Sequence, residues 1–188
     1  MKISVGDLVK SRAIETIQST RVDIPHPDRL THLQFRRFAG CPMCNLHIQS
    51  FVRRNAELIA HGVEEIAVFH SSSKAMLEHL VATPFALIAD PAKSLYAEFG
   101  VEGSFLSVLH PRSWLPAVQG LLRHGVSLPA FGESPLGLPA DFLIAKGGRV
   151  LACKYGSHAY DQWTVDEVLE LARNAEFARP ARRSSSQY

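Results

Sequence analysis

Cysteine is scarce in this chain of 188 residues, which has three: Cys41, Cys44 and Cys153. That number is too small, and too odd, for the disulfide frameworks that hold small secreted domains together. No run approaches the ~18 apolar residues of a membrane span, so no spanning helix is expected. The opening Met1-Lys2-Ile3-Ser4-Val5-Gly6-Asp7 has no apolar core, so no secretory leader is expected and a cytoplasmic location is. Charge of one sign is also missing from the body of the chain. The formal net charge is +2, but Arg179, Arg182 and Arg183 sit in the final stretch, Phe177 to Tyr188, which holds no acid. Without them the body is close to neutral. A nucleic-acid-binding domain carries its positive excess on a folded face, so neither nucleic acid nor membrane is expected as a partner. Internal repeats are absent as well.

What remains is ordinary globular material, 46% hydrophobic and 20% charged, enough for one domain. The expected division is a folded domain over residues 1–176 and a basic, disordered tail over 177–188. Two short strands, 13–18 and 21–24, precede a loop carrying Pro25 and Pro27. Residues 31–38 alternate in part and read as a strand. From Cys44 the apolar spacing changes to three and four, through Ile48, Phe51, Val52, Leu58 and Ile59, which predicts a helix over about 42–60. Gly62 suits its left-handed end. A strand over 63–69 and a helix over 74–81, capped by Ser71–Ser73, follow. Next come a buried strand over 85–89 and a helix to Phe99 that opens on Asp90-Pro91. Residues 101–138 read as an insertion with helical character over 113–124. A hairpin turns on Lys146-Gly147-Gly148, and the capping box Thr164 to Glu167 opens a last helix to about Arg173. Strands alternating with helices, then a hairpin and a helix, predict an α/β sheet with helices on its faces.

One stretch concentrates the chemistry: Phe38-Ala39-Gly40-Cys41-Pro42-Met43-Cys44, at the hand-over from strand to helix. Cysteines three apart at such a junction read as a thiol redox motif. A thiol attacks as its thiolate, and the unpaired N–H groups of a helix's first turn favour that anion. Cys41 holds that position, and Pro42 at the first helical residue removes a donor that had no partner. Cys44 lies one turn further in, on the core face. The pattern predicts an accessible nucleophile, Cys41, and a shielded resolving thiol, Cys44, that condenses with a Cys41 sulfenic acid or mixed disulfide. Arg36 or Arg37 adds positive charge at Cys41. A zinc site made from Cys41, Cys44, Cys153 and His158 is the metal alternative, disfavoured by the loose Cys-x₄-His spacing. No metal or cofactor is expected.

The order of elements, the Gly40-Cys41-Pro42-Met43-Cys44 motif and the later Pro139-Ala140-Asp141-Phe142-Leu143-Ile144 with Gly147-Gly148-Arg149-Val150 resemble the thioredoxin superfamily. More closely they resemble its peroxiredoxin-like branch, related to alkyl hydroperoxide reductase and thiol-specific antioxidant proteins. The resemblance runs from Gly6 to about Ala172. It implies a thioredoxin-like fold and a cis-proline at Pro139 packed beside Cys41. It also implies a thiol oxidoreductase that reduces a peroxide or a disulfide and is recharged by a thioredoxin-type or other dithiol donor. In standard peroxiredoxins a proline lies seven residues, and a threonine or serine three residues, before the reactive cysteine. Here those positions hold Gln34 and Phe38, and Pro139 stands where such enzymes place an arginine. A disulfide reductase without peroxidase activity is therefore the second reading, and a redox-sensing module the third.

The remaining candidates read as structural. Cys153 is a small apolar residue of the hairpin. His47 falls on a different side of the helix from Cys41 and reads as a surface residue. His70 caps the end of a strand, and His158 and Trp163 belong to a packed loop. Trp114 and Phe131 serve local packing, with cover over the thiol site or a homodimer face as the alternatives.

Overall fold

The computed structural model describes residues 1–80, 82–101 and 137–177. Strand β1 (Arg12–Glu15) and β2 (Arg21–Ile24) form a separate antiparallel hairpin. The central sheet contains β3 (Leu30–Arg36), β4 (Val63–Phe69), β5 (Ala86–Ala89), β6 (Ala140–Ile144) and β7 (Val150–Tyr155). Its order is β5-β4-β3-β6-β7. β3, β4 and β5 run parallel, whereas β6 and β7 are antiparallel to their neighbours. This is the α/β, thioredoxin-like sheet expected from the sequence. Among the described residues no helix is long and apolar enough to cross a membrane.

Helix α1 (Pro42–Ala60) has the expected bounds. Its buried residues, Met43, Cys44, His47, Ile48, Phe51, Asn55 and Leu58, follow the three-and-four spacing that lays one face on a sheet. Gly62, with φ +67°, turns the chain into β4. Helix α2 (Ser73–His79) is capped by Ser72, whose hydroxyl accepts from the Ala75 N–H. Helix α3 (Ser94–Glu98) starts later than Asp90-Pro91 suggests. Asp90 still serves it, because its carboxylate accepts from the N–H groups of Ser94, Leu95 and Tyr96. Helix α4 (Val165–Phe177) opens on the expected capping box, with Thr164 and Glu167 bonded reciprocally. The insertion helix over 113–124, Trp114, Phe131 and the tail beyond Phe177 lie outside the described residues.

The sheet separates two apolar layers. On one face Leu33, Phe35, Ile66, Phe99 and Phe142 cluster, with Cys153 beside them. Phe35, Phe99 and Phe142 meet at ring separations of 5.1–5.8 Å. Each fully buried ring contributes roughly 1.5–3 kcal/mol. The other layer joins α1, α2 and α4 to the sheet and contains Cys41 and Cys44.

One expectation is corrected here. The peptide bond before Pro139 is trans; the cis bond among the described residues is Ile24–Pro25. Pro139 precedes β6 with its carbonyl accepting from the Gly156 N–H at 2.9 Å. A proline just before a strand loses no ladder donor, so straight pairing accommodates it. Cys153 belongs to the layer across the sheet from Cys41 and Cys44, which separates the donors of the zinc alternative. Among the described residues no metal-binding cluster occurs.

Gly156 permits the close approach of the hairpin to the loop before α4. A Cβ there would stand 2.5 Å from the Asp161 carbonyl and 2.8 Å from Pro139 Cγ. Gly156→Ala is therefore expected to destabilise the protein by about 1–3 kcal/mol, the usual range for overpacking. Urea denaturation of the two proteins measures it.

Candidate active site

The dithiol sits where β3 ends and α1 begins, at the C-terminal edge of the parallel strands. Cys41 is the N-cap of α1 and Pro42 its first residue. The Cys44 N–H points at Cys41 Sγ at 3.4 Å. Ala39 is tied to β4's end by an N–H bond to the Ser71 hydroxyl. No disulfide joins the two cysteines in this structure. Contrary to the expected exposure of Cys41, both are buried, Cys41 at 1% and Cys44 at 3% relative exposure. Cys41 folds back as a cap, its sulfur accepting from the Cys44 N–H, and belongs to one buried cluster with Phe38 and Ala39.

The two arginines have separate places. Arg37 leaves the strand toward the dithiol, and its Nη2 donates to Cys41 Sγ at 3.0 Å. Arg36 turns under α1 into the core. Burial raises the Cys41 thiol, and so does its hydrogen bond to Cys44. Burial would raise Cys44 too, but the Cys41 hydrogen bond, the Arg37 charge and an Arg37 backbone contact outweigh it, and Arg36 adds to them. Cys44 is lowered to about 6. The pair thus loses its first proton below the free-cysteine value of ~8.5. That charge belongs to the pair, held between two sulfurs that share one proton.

Beneath the dithiol lies a buried polar layer that sequence reading missed. His32, Gln34 and Arg36 alternate along β3 and all face α1. His32 Nδ1 donates to Glu65 Oε2 at 2.7 Å, while its Nε2 lies 3.4 Å from Asp141 Oδ1. Gln34 bridges Glu65 and Arg36. Arg36 Nη2 donates to Asp141 Oδ1 at 2.6 Å and to His47 Nε2 at 3.0 Å. The second Asp141 oxygen accepts from the Trp163 N–H at 3.2 Å. Asp141 is held well below the carboxylate range: burial opposes this, but the Arg36 charge and His32 prevail. One signal could have exposed this layer. Sheets built of parallel strands are covered on both faces, so the polar residues of a central strand are buried whichever way they point.

His47 therefore corrects its surface assignment. It shares the buried face with Cys44, Ile48 and Phe51, and its ring packs 4.9 Å from Phe51. An arginine only donates, so His47 Nε2 accepts and the ring is neutral with its proton on Nδ1. Burial and the Arg36 charge both hold its pKa well below the usual value. His70, buried at the end of β4, meets Tyr96 edge-on at 5.8 Å. Tyr96 reaches from α3 to the carbonyls of Arg36 and Val68, joining the ends of β3 and β4 behind the dithiol. Gly137 lies against Arg37 and His70. His158 and Trp163 are buried in the loop before α4, as expected, with Trp163 5.9 Å from His32.

The sequence of residues 50–158 matches the family described as AhpC/TSA antioxidant enzyme. The chain belongs to this family. The match covers more than half of the chain and begins after both cysteines, so membership rests on the body of the fold. Among solved structures, the chain is similar to the peroxidoxin BcpB of Mycobacterium tuberculosis, at 14% identity and TM-score 0.63, covering 94% of this chain and 98% of that one. It is similar to Mycobacterium bovis AhpC at 15% identity and TM-score 0.66, covering 100% and 99%. A DsbE-type thiol:disulfide interchange protein of Chlorobium tepidum aligns at 18% identity and TM-score 0.60, covering 93% and 98%. At these identities the likeness is one of fold. No curated protein sequence matches significantly.

Proposed function

We propose that this member of the AhpC/TSA family is a thiol peroxidase in which Cys41 is the nucleophile and Cys44 the resolving thiol. The observation that carries the reading is Arg37 Nη2 at 3.0 Å from the sulfur of an N-cap cysteine. A guanidinium there favours the thiolate and offers further N–H donors to an oxygen arriving at it. The Cys41 thiolate attacks one peroxide oxygen, the O–O bond breaks, and the departing alkoxide or hydroxide takes a proton. Cys41 becomes a sulfenic acid. Cys44 then attacks the Cys41 sulfur, water leaves, and a Cys41–Cys44 disulfide remains. An external dithiol reduces that disulfide and returns the pair to its starting state.

Hydrogen peroxide consumption in the presence of a thioredoxin system tests this. The wild type is expected to consume peroxide and Cys41→Ser to lose all turnover. Cys44→Ser retains one fast reaction with peroxide and then stalls as the sulfenic acid, detected by trapping and mass spectrometry. Absence of peroxide-dependent oxidation of Cys41 in the wild type would sink the proposal.

A second reading is favoured by Phe38, which stands three residues before Cys41 and brings no hydroxyl to a bound peroxide. On that reading the pair exchanges with protein disulfides, and insulin reduction without peroxide consumption is the result that selects it.

A further inference from the structure

The ionic layer beneath the dithiol is more than the fold requires. An ion pair buried this completely is often no more stabilising than apolar packing of equal volume. Arg36 directs every donor group inward. Its Nε meets Gln34 Oε1 at 2.5 Å, Nη1 the Phe35 carbonyl at 3.2 Å, and Nη2 both Asp141 and His47. His47 is a neutral acceptor in that contact, so it leaves the Arg36 charge uncancelled. The carboxylate bonded to the guanidinium is Asp141. Helix periodicity sets His47 one turn from Cys44 on the same buried face. Cys44, His47, Arg36 and Asp141 therefore follow one another in a dry layer, where charges are weakly screened. Among the described residues, Arg37 and, from α3, Tyr96 also interact electrostatically with the dithiol.

We propose that the Arg36–Asp141 ion pair sets the acidity and the reduction potential of the Cys41–Cys44 couple, Arg36 favouring the thiolate and Asp141 restraining it. The inference rests on the thiol oxidoreductase reading above. Neither residue touches the reacting sulfurs; both are positioning residues that act through the field at Cys44. Stabilising the thiolate stabilises the reduced pair, which makes the disulfide more oxidising. The two ends of one ion pair must then act in opposite directions, whereas loss of a merely structural contact has no such sign.

The experiment equilibrates the full chain with glutathione, in which the dithiol and glutathione disulfide exchange to the protein disulfide and two reduced glutathiones. Thiolate absorbance against pH is measured alongside. Asp141→Asn is expected to lower the equilibrium constant for oxidation about tenfold, roughly 30 mV upward in potential, and to move the thiol midpoint down. Arg36→Met is expected to raise the constant about tenfold and to move the midpoint up. Arg36→Met/Asp141→Leu removes both charges together and covers the case in which a single variant fails to fold. Of the two charges, that of Arg36 is the one among the causes acting on Cys44, so the double variant shifts in the Arg36→Met direction with smaller amplitude. Shifts of the same sign in both single variants, or a double variant within twofold of the wild type, overturn the proposal. A wild type that forms no reversible Cys41–Cys44 disulfide overturns the underlying reading and this inference with it. A wild type that cycles, with variants that do not shift, overturns this inference alone.

Discussion

Replacing Arg37 with methionine is expected to move the midpoint of dithiol alkylation upward from near pH 6, toward the free-cysteine value of ~8.5. Cys44 is lowered to about 6 with Arg37 among the causes, and Arg37 donates to Cys41 at 3.0 Å. Without that cation both sulfurs keep the burial that raises them, while the hydrogen bond between the two cysteines and the Arg36 charge still favour the Cys44 anion, so the midpoint rises toward the free-cysteine value of ~8.5. At pH 7 the thiolate fraction then drops from about nine-tenths to a minority once the midpoint passes 7. The alkylation rate at pH 7 falls less, by a few-fold, because a thiolate of higher pKa is intrinsically more nucleophilic. The pH profile of iodoacetamide reaction separates the two effects: the midpoint moves far and the plateau rises. Peroxide turnover is expected to fall further than alkylation does, because peroxide also loses the donors that Arg37 offers its oxygen. An unchanged midpoint would show that Arg37 does not control the thiols.

The contribution of His32 to folding stability is expected to decline by about 3 kcal/mol between pH 6.5 and 9. Burial would lower the His32 pKa, but the charge of Glu65 and the bonds to Asp141 and Glu65 raise it to about 9. The unfolded value is near 6.5. A group raised on folding stabilises the native state fully below its unfolded pKa, and that contribution is lost as pH rises through the folded one. A shift of this size corresponds to roughly 3 kcal/mol at about 1.4 kcal/mol per unit. The dithiol also titrates in this window, so the informative quantity is a difference between proteins. His32→Gln is less stable than the wild type at pH 6.5, and its stability falls less toward pH 9. Urea denaturation at both pH values measures this. Parallel pH profiles for the two proteins would mean that His32 is neutral in the fold. Asp141 contributes in the opposite direction. Its carboxyl is depressed on folding, so its contribution is complete above its unfolded value near 3.8 and is lost as pH falls.

The sequence carried much of the fold because local rules and global packing agree there. Helix α1 was legible to the residue: Pro42 marks its first turn, its apolar residues recur at three and four, and Gly62 supplies the positive φ that ends it. β4 was equally clear, as was the hairpin around Gly147-Gly148. The start of α3 was misplaced because Asp90 caps that helix across a left-handed Lys93, at φ 56°, instead of from the adjacent position. The polar side of β3 was harder still. His32, Gln34 and Arg36 alternate with Leu33 and Phe35, a pattern shared by a strand with one wet face. Only the covering of that face by α1 makes them a buried network.

Sequence by itself determined the redox motif, its place at a strand–helix junction, Cys41 as the helix cap and the α/β class. Those features follow from spacing and from the chemistry of single residue types. Tertiary structure alone decided which arginine meets the sulfur. Arg36 and Arg37 are adjacent and chemically identical, yet one follows the pleat of β3 under α1 while the other leaves the strand toward Cys41. It also decided that both thiols are buried, that His47 is a neutral acceptor, and that Asp141, 105 residues from Arg36, is that arginine's counter-ion. Pairings of this kind depend on where distant strands are laid side by side. In the low-dielectric layer between sheet and helix, those pairings govern the acidity of the Cys41–Cys44 couple.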